Sequence, residues 1–544
     1  KGAYFLRTKS GNQSKSNYFG LRVARICSQT LFLGLFFFLF VKTDYTGSDT
    51  IEYAVNIIFR LDPLLAICTI LAGKIVIALM APALITLLAS LVFGRAFCGW
   101  FCPVGTMLDG ARHLGIRSIT KNRQTRYPHL ALLILLFVVV SSLLNFPVAG
   151  YLDPFSILVR ALAQSLYPAI NALMVSFFSF TYASAPPSVN LVTEPLYSFL
   201  KLTVLPFDQK HFDLALLSFM MFASLFFLEL VHRRFFCRNI CPLGALIGLV
   251  SRLSILQVNG GDVDCGKCHH CVKICRMGAI DDTRNIRMGS CSLCMDCFEQ
   301  CPRQIIDFNR KKFSSGNYEV SLSRRKFIGT LAVGAMVPPI LKARTTDHLA
   351  QANLVRPPGA REEHDFISRC VRCAECIQVC IGNALQPTFL QSGIEGIFTP
   401  RLVARSGYCE FNCTLCGQVC PTGAIMELTL EQKHKTKIGH AWFDKDICLP
   451  YAKGIPCIVC EEHCPTPDKA IRFRMADVHD DQGRKIRVKQ PYVVDSLCIG
   501  CGICETKCPV PGRAAIYITS AGEHRDEDNI LPVSGEQQSG LSPY

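Results

Sequence analysis

CGKCHHCVKIC (residues 265–275) and CSLCMDCFEQCP (residues 291–302) are two cysteine runs separated by a short spacer. Each run has the spacing C-x2-C-x2-C-x3-C, in which three thiolates bind one iron–sulfur cube and the fourth binds the cube of the partner run. A zinc site would use two C-x2-C pairs and leave half of these cysteines idle. The stretch therefore predicts two [4Fe–4S] clusters with the ligands Cys265, Cys268, Cys271 and Cys301, and Cys291, Cys294, Cys297 and Cys275.

Cysteine usage and charge exclude several classes of protein. The 544-residue chain contains 30 cysteines: 24 form six quartets, four form two C-x3-C-P pairs, and Cys27 and Cys68 stand alone. Disulfide scaffolds with many cysteines are small secreted proteins, so this pattern indicates cofactor ligation instead. The net charge of +15 comes from Lys and Arg that gather at the ends of apolar segments. Cytoplasmic loops of membrane proteins carry that bias, so we expect no nucleic-acid partner.

Four further quartets lie between residues 353 and 520, and the last three of them end in Cys-Pro. Their thiolates predict four more [4Fe–4S] clusters, which gives six in the chain. We expect short strands and helices around each pair, because ligation replaces most of a conventional core. The quartets are Cys370, Cys373, Cys376 and Cys380; Cys409, Cys413, Cys416 and Cys420; Cys448, Cys457, Cys460 and Cys464; and Cys498, Cys501, Cys504 and Cys508.

Long apolar runs before residue 260 predict a membrane domain whose basic N-terminus lies in the cytoplasm. Two segments that begin with Leu-Asp-Pro, LDPLLAICTILAG and LDPFSILVRALAQ, are too short to cross and are expected as half-helices. The second leads into a long outer insertion over 155–212, which is expected to be a docking surface or a quinone pocket. The four expected spans are 26–41, 74–97, 129–148 and 212–232.

The membrane half contains an internal repeat. Leu-Asp-Pro at 61–63 recurs at 152–154, and R-x-F-C-x3-C-P-x-G at 95–105 recurs at 234–244. Both copies run outward and back, so we expect them to be related by an axis along the membrane normal. Positions i and i+4 share one face of a helix, so the four thiolates are expected to meet near that axis. Pro103 and Pro242 are expected to break the helices just beyond the cysteine pairs. These cysteines are Cys98, Cys102, Cys237 and Cys241.

Three interpretations of these four cysteines stay open: a further iron–sulfur cluster, a quinone pocket lined by free thiols, and a structural contact between small residues. Basic residues nearby are candidates for contact with a quinone head group. The alternative is that they only anchor the inner ends of the helices. The candidates are Arg95, His113, His232, Arg233 and Arg234.

The predicted fold is an α-helical membrane domain, with four spans in two parallel repeats plus half-helices, and two α+β ferredoxin-like polyferredoxin domains. SRRKFIGTLAVGAMVPPIL (residues 323–341) has a twin-arginine export pattern, with an ordinary membrane helix as the alternative. Both interpretations carry the following residues across the membrane. The predicted domains are the membrane domain (1–257), a cytoplasmic two-cluster ferredoxin (258–312), the signal-like crossing (313–352), a periplasmic four-cluster ferredoxin (353–520) and a polar tail (521–544).

These motifs resemble two known families. Residues 1–315 are similar to the NapH-type membrane ferredoxin, and residues 323–544 are similar to the NapG-type periplasmic ferredoxin with its twin-arginine start and four quartets. The resemblance implies a quinol dehydrogenase of the bacterial inner membrane that passes electrons to periplasmic c-type cytochromes and a terminal reductase. It also implies that the first of the four later quartets exchanges its last cysteine with the fourth, and the second with the third. Cys380 and Cys508 would then exchange places, as would Cys420 and Cys464.

The leading hypothesis is therefore a (mena)quinol-oxidising electron-transfer protein that works with a multihaem cytochrome or other respiratory subunits. One alternative is an iron–sulfur assembly or metal-reducing factor for a respiratory oxidase, because proteins of the RdxA type share the C-x3-C-P core. The other alternative is a subunit of an electron-driven ion pump, which Asp62 and Asp153 allow. No phosphate-binding loop, dinucleotide fold motif or hydrolase constellation is present in the sequence.

Overall fold

The computed structural model describes residues 11–45, 47–51, 53–115, 129–184, 186–206, 208–260, 268–281, 283–302, 305–310, 323–342, 354–479 and 483–525. Two compact units divide the chain. The first comprises residues 1–41, 55–161 and 217–338, and the second comprises residues 42–54, 162–216 and 339–544. The division therefore passes through the predicted membrane domain and groups two of its connecting segments with the C-terminal half.

Helices dominate the chain up to residue 342. They are α1 (Gly11–Lys42), α2 (Asn56–Arg60), α3 (Pro63–Gly73), α4 (Ala83–Phe93), α5 (Phe97–Trp100), α6 (Pro103–His113), α7 (Leu130–Leu143), α8 (Ala149–Leu152), α9 (Pro154–Ala161), α10 (Tyr167–Ser184), α11 (Pro187–Thr203), α12 (Ala215–Val231), α13 (Phe235–Asn239), α14 (Pro242–Val250), α15 (His270–Ile274), α16 (Asp296–Glu299) and α17 (Arg324–Lys342).

Three helices of the described residues are long and apolar enough to cross a membrane: Gly20–Lys42, Ala78–Trp100 and Pro154–Ser184. The first two coincide with predicted spans. Leu31 and Leu88 on them are 69% and 62% exposed, as side chains that face lipid would be. The expected third and fourth spans contain only α7 and α12, which have 14 and 17 residues. The four-span count therefore stays a prediction.

The second Leu-Asp-Pro segment does not form a half-helix, and the expected outer insertion over 155–212 consists largely of helices. Helix α9 continues through a π-helical turn at Leu162–Leu166 into α10, and α11 follows. The first segment stops because α3 ends at Gly73 and Lys74 adopts a left-handed conformation with φ 52°. No such stop interrupts the second segment, so the helix extends over 31 residues.

The N-termini of α3 and α9 are built in the same way. Asp62 caps α3 and Pro63 begins it, while Asp153 precedes Pro154 at the start of α9. Proline is favoured at the first helical position because its missing N–H has no partner there in any case. Both carboxyl side chains are fully buried.

A small two-stranded layer follows the membrane helices in the first unit. Strands β1 (Leu256–Asn259) and β2 (Asp307–Arg310) pair antiparallel, with Val258 opposite Phe308. Val258, Met288, Phe298 and Ile306 form the core beneath them. Further along the chain, α17 packs against α7, since a Cβ added at Gly334 would lie 3.1 Å from Val140. The twin-arginine segment is thus helical, and its role in export stays a prediction.

The C-terminal part of the second unit consists of short elements between cysteine loops. The helices are α18 (Glu363–Arg369), α19 (Glu375–Gln378), α20 (Leu415–Gln418), α21 (Leu430–Lys435), α22 (Leu449–Ala452), α23 (Val459–Glu462) and α24 (Ile503–Lys507). The strands are β3 (Leu385–Pro387), β4 (Pro400–Leu402), β5 (His440–Phe443), β6 (Ile471–His479), β7 (Lys485–Val493) and β8 (Ile516–Thr519). They pair antiparallel as β3–β4, β5–β8 and β6–β7.

Candidate metal centres

The cysteines of residues 268–301 surround two neighbouring cavities. Cys275, Cys291, Cys294 and Cys297 line one cavity. Cys268, Cys271 and Cys301 line the other, together with Pro302. Their predicted partner Cys265 lies outside the described residues. Cys275 and Cys301 thus lie beside the loop of the other run, which is the exchange that the sequence predicts.

In the C-terminal half the cysteines lie in other groups than the resemblance implies. The last cysteine of each quartet lies with the first three of its neighbour in sequence, because α19 packs against α20 and α23 against α24. The cysteines expected to exchange between the first and fourth quartets, and between the second and third, do not lie together in the described residues. The groups are Cys370, Cys373, Cys376 and Cys420; Cys409, Cys413, Cys416 and Cys380; Cys448, Cys457, Cys460 and Cys508; and Cys498, Cys501, Cys504 and Cys464.

Backbone conformation in three of the loops favours an anionic cluster. The residues on either side of the second cysteine have positive φ, which turns successive N–H groups toward one concavity of the kind that binds anions and iron–sulfur centres. Backbone N–H groups accordingly donate to the thiols, for example from Leu293 to Cys291 and from Gly500 to Cys498. The residues with positive φ are Leu293, Met295, Arg372, Ala374, Gly500 and Gly502.

The cysteine groups fit a polynuclear cluster better than a single metal ion. Within the described ranges, no three His, Cys, Asp or Glu side chains converge closely enough to hold one ion. Burial raises the pKa of the Cys291, Cys460 and Cys501 thiols to about 12, so positive charge is needed to hold them as thiolates. Iron supplies that charge, and thiolate is its preferred ligand in such clusters.

The two C-x3-C-P motifs have the same local structure. The first cysteine of each lies in a short helix, α5 or α13, and the second is the N-cap of the next helix, α6 or α14. Cys102 and Cys241 have ψ values of 117° and 110°, as expected for a residue before proline. The prolines therefore begin new helices, and the expectation that one helix carries both cysteines of a motif is wrong.

An arginine from each motif crosses to the other motif. Arg95 Nη2 donates to the carbonyl oxygen of Cys237 at 2.7 Å, and Arg234 Nη1 donates to that of Cys98 at 3.0 Å. The glycine that ends each motif makes room for the crossing arginine. A Cβ at Gly244 would lie 2.2 Å from Arg95 Nη2, and one at Gly105 would lie 3.3 Å from Arg234 Nη2. The crossing explains why arginine and glycine recur in both copies.

The four thiols of the motifs lie close enough to interact with one another. Cys98 interacts electrostatically with Cys102, Cys237 and Cys241, and the Arg95 guanidinium contacts the Cys98 thiol. Cys102, Cys237 and Cys241 are buried. The N–H of Gly244 donates to Cys241 Sγ at 3.3 Å. The site thus offers four soft ligands, N–H donors and buried guanidinium groups, which suit an anionic sulfur cluster.

Both motifs lie directly against the loops that hold the cavity of Cys275, Cys291, Cys294 and Cys297. On the first motif, a Cβ at Gly99 would lie 2.3 Å from the carbonyl oxygen of Ser292, and Trp100 Nε1 donates to Leu293 O at 3.0 Å. On the second motif, Arg238 packs against Gly278, three residues after Cys275. The motif pair is therefore next to one cysteine group of residues 268–301.

A chain of ion pairs fixes this contact. Asp109 on α6 pairs with Arg234 at 2.7 Å and with Arg276 at 2.6 Å, and Arg276 also pairs with Asp296. Burial alone would raise the pKa of Asp109, but the two arginines hold it well below its usual range. Arg25 on α1 lies 3.4 Å from Asp296. Nothing in the amino-acid sequence singles out Asp109 or Arg276, because their roles depend on packing between distant segments.

The quinone candidates are dispersed. Arg95 and Arg234 lie at the cysteines as crossing residues, and Arg233 Nη1 donates to Ile274 O at 3.4 Å. His232 is partly buried and stacks on Phe235, while His113 at the end of α6 is exposed. The five residues do not surround a common site, and their role in quinone binding stays a prediction.

The four C-terminal cysteine groups follow one another within the second unit. The N–H of Cys409 donates to the carbonyl oxygen of Cys501 at 2.9 Å, which joins the second quartet to the fourth. The connecting segments contact the first two quartets: Lys210 Nζ donates to Gln378 O, and the N–H of Ile51 donates to Gln418 Oε1. The group of Cys448 and Cys508 lies at the other end of this series.

Comparison with known proteins supports the metal centres. A protein-family model described as "4Fe-4S binding domain" matches residues 75–122, 212–257 and 416–439. The first two segments contain the C-x3-C-P motifs. No solved structure gives a significant match.

The chain is also similar to curated ferredoxin-type proteins. It is 38% identical over 157 residues to the methylamine utilization ferredoxin-type protein MauM of Methylorubrum extorquens, covering 28% of this chain and 67% of that protein. MauM of Methylobacillus flagellatus is 33% identical over 226 residues, or 41% and 88% of the two chains. Ferredoxin-type protein NapG of Escherichia coli K12 is 37% identical over 150 residues, covering 27% of this chain and 63% of that protein. The chain therefore belongs to the family of ferredoxin-type iron–sulfur electron-transfer proteins that includes MauM and NapG.

Proposed function

We propose that this protein oxidises a membrane quinol and delivers the electrons, through six [4Fe–4S] clusters and the C-x3-C-P site, to a c-type cytochrome or another respiratory subunit. The membrane half takes the part of a NapH-type protein and the C-terminal half that of a NapG-type protein, here joined in one chain. Quinol oxidation and the identity of the partner rest on the resemblance and on the arrangement of the membrane domain.

The observation that carries the proposal is the contact between the motif pair and the loops of Cys275 and Cys291. A backbone contact at Gly99 and a hydrogen bond from Trp100 join the two sites with no intervening layer of protein. Buried thiols from two membrane segments, placed directly against a ferredoxin cysteine group, favour an electron-transfer role over a structural one. The match of both motif segments to a 4Fe-4S binding domain supports the same role.

The residues that would hold a cluster in the membrane domain are Cys98, Cys102, Cys237 and Cys241. A cluster bound there would supply one-electron chemistry close to the quinone. Arg95 and Arg234 would hold the two motifs in register and offset the negative charge of the sulfur atoms. Asp109 would fix Arg234 by their ion pair of 2.7 Å.

We place residues 258–312 in the cytoplasm and residues 353–520 in the periplasm of a bacterium. The basic N-terminal region favours a cytoplasmic start. Segment 42–54, which the predicted topology puts near the outer face, belongs to the same compact unit as the C-terminal cysteine groups, which supports a periplasmic location for those groups.

The partner is expected to dock near the group of Cys448, Cys457, Cys460 and Cys508. This group lies at the end of the C-terminal series that is remote from the contacts made by Ile51 and Lys210. Pro491 on β7 lines its cavity, and β7 also carries exposed Arg487 and Lys489. A partner with an acidic surface around its redox group would complement these charges.

Anaerobic purification followed by addition of a soluble quinol tests the proposal. We expect the quinol to reduce the clusters of the wild-type protein, and the iron content to be about 26–28 atoms per chain if the motif pair binds a cluster, against about 24 for six cubes alone. Cys98→Ala should lose the extra iron and the reduction by quinol, while Cys27→Ala, which removes an isolated exposed cysteine, should lose neither. Reduction by quinol at the wild-type rate in Cys98→Ala would contradict the role of the motif pair.

A further inference from the structure

The repeated Leu-Asp-Pro segments bring two carboxyl groups together in the membrane domain. Asp62 and Asp153 are each 0% exposed, and their side chains are hydrogen-bonded to each other. The pair joins the N-termini of α3 and α9, one from each repeat. The electron-transfer function described above does not use this pair.

Each carboxyl group caps the helix that follows it, and Asp62 keeps one oxygen free of N–H donors. Asp62 Oδ1 accepts from the N–H groups of Leu64 and Leu65 at 2.7 and 3.1 Å, and Asp153 Oδ2 accepts from that of Ser156 at 2.8 Å. Asp153 also interacts with the N–H group of Phe155 and the hydroxyl group of Ser156. Among the described residues, no N–H or O–H group donates to Asp62 Oδ2. A hydrogen bond between the two carboxyl groups therefore needs a proton between them, because an ionised carboxylate only accepts.

Charge balance gives the number of protons. The strongest influences on each carboxyl group are its burial, the other carboxyl group and donors at the start of its own helix, with no arginine, lysine or histidine among them. The buried Cys68 thiol is close enough to interact electrostatically with both carboxyl groups. Two ionised carboxylates in contact repel each other strongly in a site of low dielectric constant. The N-termini of α3 and α9 each supply about half a positive charge. Together they balance one negative charge but not two.

We infer that Asp62 and Asp153 form a proton-binding site that holds one shared proton and accepts the protons that a quinol releases. The inference rests on the proposed quinol oxidation. A quinol becomes a quinone by losing two electrons and two protons. The electrons go to the iron–sulfur centres, and the protons pass one at a time to the pair. The pair changes from a single negative charge to neutral when it takes up a proton, and returns to its first state when it releases one to the outer water.

A purely structural role explains the arrangement less well. A helix cap needs one acceptor oxygen, and Ser, Thr or Asn supplies it without a second charge. The same chain caps the exposed helix α21 with Thr429. Burying two facing aspartates costs free energy, and capping the helices does not require it. A shared proton requires both carboxyl groups.

Asp62→Asn and Asp153→Asn separate the two roles. Asparagine caps a helix as well as aspartate does, and its amide group donates a permanent hydrogen bond to the facing carboxylate. Each variant therefore keeps the shape of the pair but cannot take up or release a proton in the same way. Thr69→Val on α3 is the matched control, because it removes a buried hydroxyl group that bonds only to its own helix.

Infrared spectroscopy tests the shared proton. The wild-type protein should show the absorption of a protonated, buried carboxyl group that shifts in D2O, and Thr69→Val should show it too. Each asparagine variant should lose it. The proton-binding site is wrong if the wild-type protein lacks this absorption, or if both asparagine variants retain it.

Reduction by a soluble quinol tests the proton transfer. We expect each asparagine variant to be reduced roughly 100-fold more slowly than wild type, the order of magnitude of a lost acid–base group. Its iron content and its reduction by dithionite should be unchanged. Reduction by quinol at the wild-type rate in both variants would show that the carboxyl groups only cap helices. If dithionite but not quinol reduces the wild-type protein, the proposed function and the transfer from quinol are both wrong, and the infrared result still decides on the shared proton.

Discussion

Single side chains account for the motif R-x-F-C-x3-C-P-x-G. The cysteines supply thiols, the proline begins the next helix, the glycine leaves space, and the arginine crosses to the other copy of the motif. The sequence predicts that the four thiols meet, because the repeat makes the two segments equivalent. It does not predict the crossing of Arg95 and Arg234, which depends on how closely the two copies pack.

Arg234→Met should destabilise the membrane domain. Arg234 is 0% exposed, and its loss leaves the carbonyl groups of Cys98 and Gly105 without their donor and weakens the pairing of Asp109. Removing one partner of a buried ion pair typically costs about 3–5 kcal/mol. Arg112→Met on α6, the helix that carries Asp109, replaces an arginine that is only partly buried and should change the free energy of unfolding by less than about 0.5 kcal/mol. Chemical denaturation in detergent measures both, and equal losses would contradict the role of the crossing.

Pairs of cysteine substitutions distinguish the ligand exchange in the C-terminal half. The structure groups Cys508 with Cys448, whereas the resemblance implies a group with Cys370. Cys448→Ser/Cys508→Ser should therefore lose about four iron atoms, the same as either single variant, because one cluster is affected. Cys370→Ser/Cys508→Ser should lose about eight. The opposite pattern of iron loss would restore the exchange that the resemblance implies.

Short helices and their ends decide how the membrane segments meet the ferredoxin residues. The C-x3-C spacing suggested one helix with both thiols on a face, but proline restrains the residue before it and divides each motif into two helices. The resulting turn places Gly99 against Ser292. Helix breaks at the prolines could be predicted from the sequence. The structure adds that each break falls before the second cysteine of the motif, because Cys102 and Cys241 have ψ values outside the helical range.

Gly99→Ala should push the C-x3-C-P turn away from the loop of Cys291. Its methyl carbon would lie 2.3 Å from the carbonyl oxygen of Ser292, so a backbone must shift. We expect the variant to keep its iron but to show altered EPR signals for this cysteine group, and slower reduction by quinol. Gly110→Ala on α6 meets nothing within 4 Å and is the control. Identical behaviour of the two variants would contradict a close contact at Gly99.

The fold of the whole chain could be predicted only in part from its sequence. Cysteine spacing predicts the quartets because ligation is a local requirement, and apolar runs predict the first two candidate spans for the same reason. The helix from Pro154 to Ser184 was missed because its polar and small residues lower the mean hydropathy, while tertiary packing keeps it helical. The exchange between neighbouring quartets was missed because it depends on contacts such as that between α19 and α20.

Ion pairs join the two ends of the C-terminal region and make its stability depend on pH. Glu363 pairs with Arg356 at 2.5 Å and with Arg525 at 2.7 Å, which joins the two ends of the described C-terminal region. Burial alone would raise the pKa of Glu363, but the two arginines lower it to about 2.

Glu363→Gln should remove this dependence. The pKa of Glu363 is lower in the folded than in the unfolded state. Its contribution to the free energy of unfolding is therefore complete above about pH 4.5 and is lost as the pH falls towards 2. The difference in stability between wild type and variant should reach about 3 kcal/mol at most near neutral pH. Hydrogen exchange of residues 354–369 measures it, with iron content determined at each pH. A difference that does not shrink in acid would contradict the ion pairs.

Limited proteolysis tests the proposed sidedness of the protein. A protease added to intact spheroplasts should cleave within residues 354–525 and spare residues 268–301, because only the former are expected outside the membrane. After the cells are opened, both regions should be cleaved at their exposed sites. Cleavage of both regions in intact spheroplasts would contradict the predicted number of crossings.

Gly99 and Arg238 occupy the same place in the two C-x3-C-P motifs. Their difference affects how residues 268–301 bind to the surface that the two similar motifs form. A surface with perfect two-fold symmetry would offer two equivalent binding orientations, and a single asymmetric partner would occupy either one. A small residue on one side admits the backbone of Ser292, while a long cation on the other packs against Gly278. Only one orientation satisfies both. Loss of symmetry at this pair of positions thus helps a duplicated membrane segment to bind a single partner in one orientation.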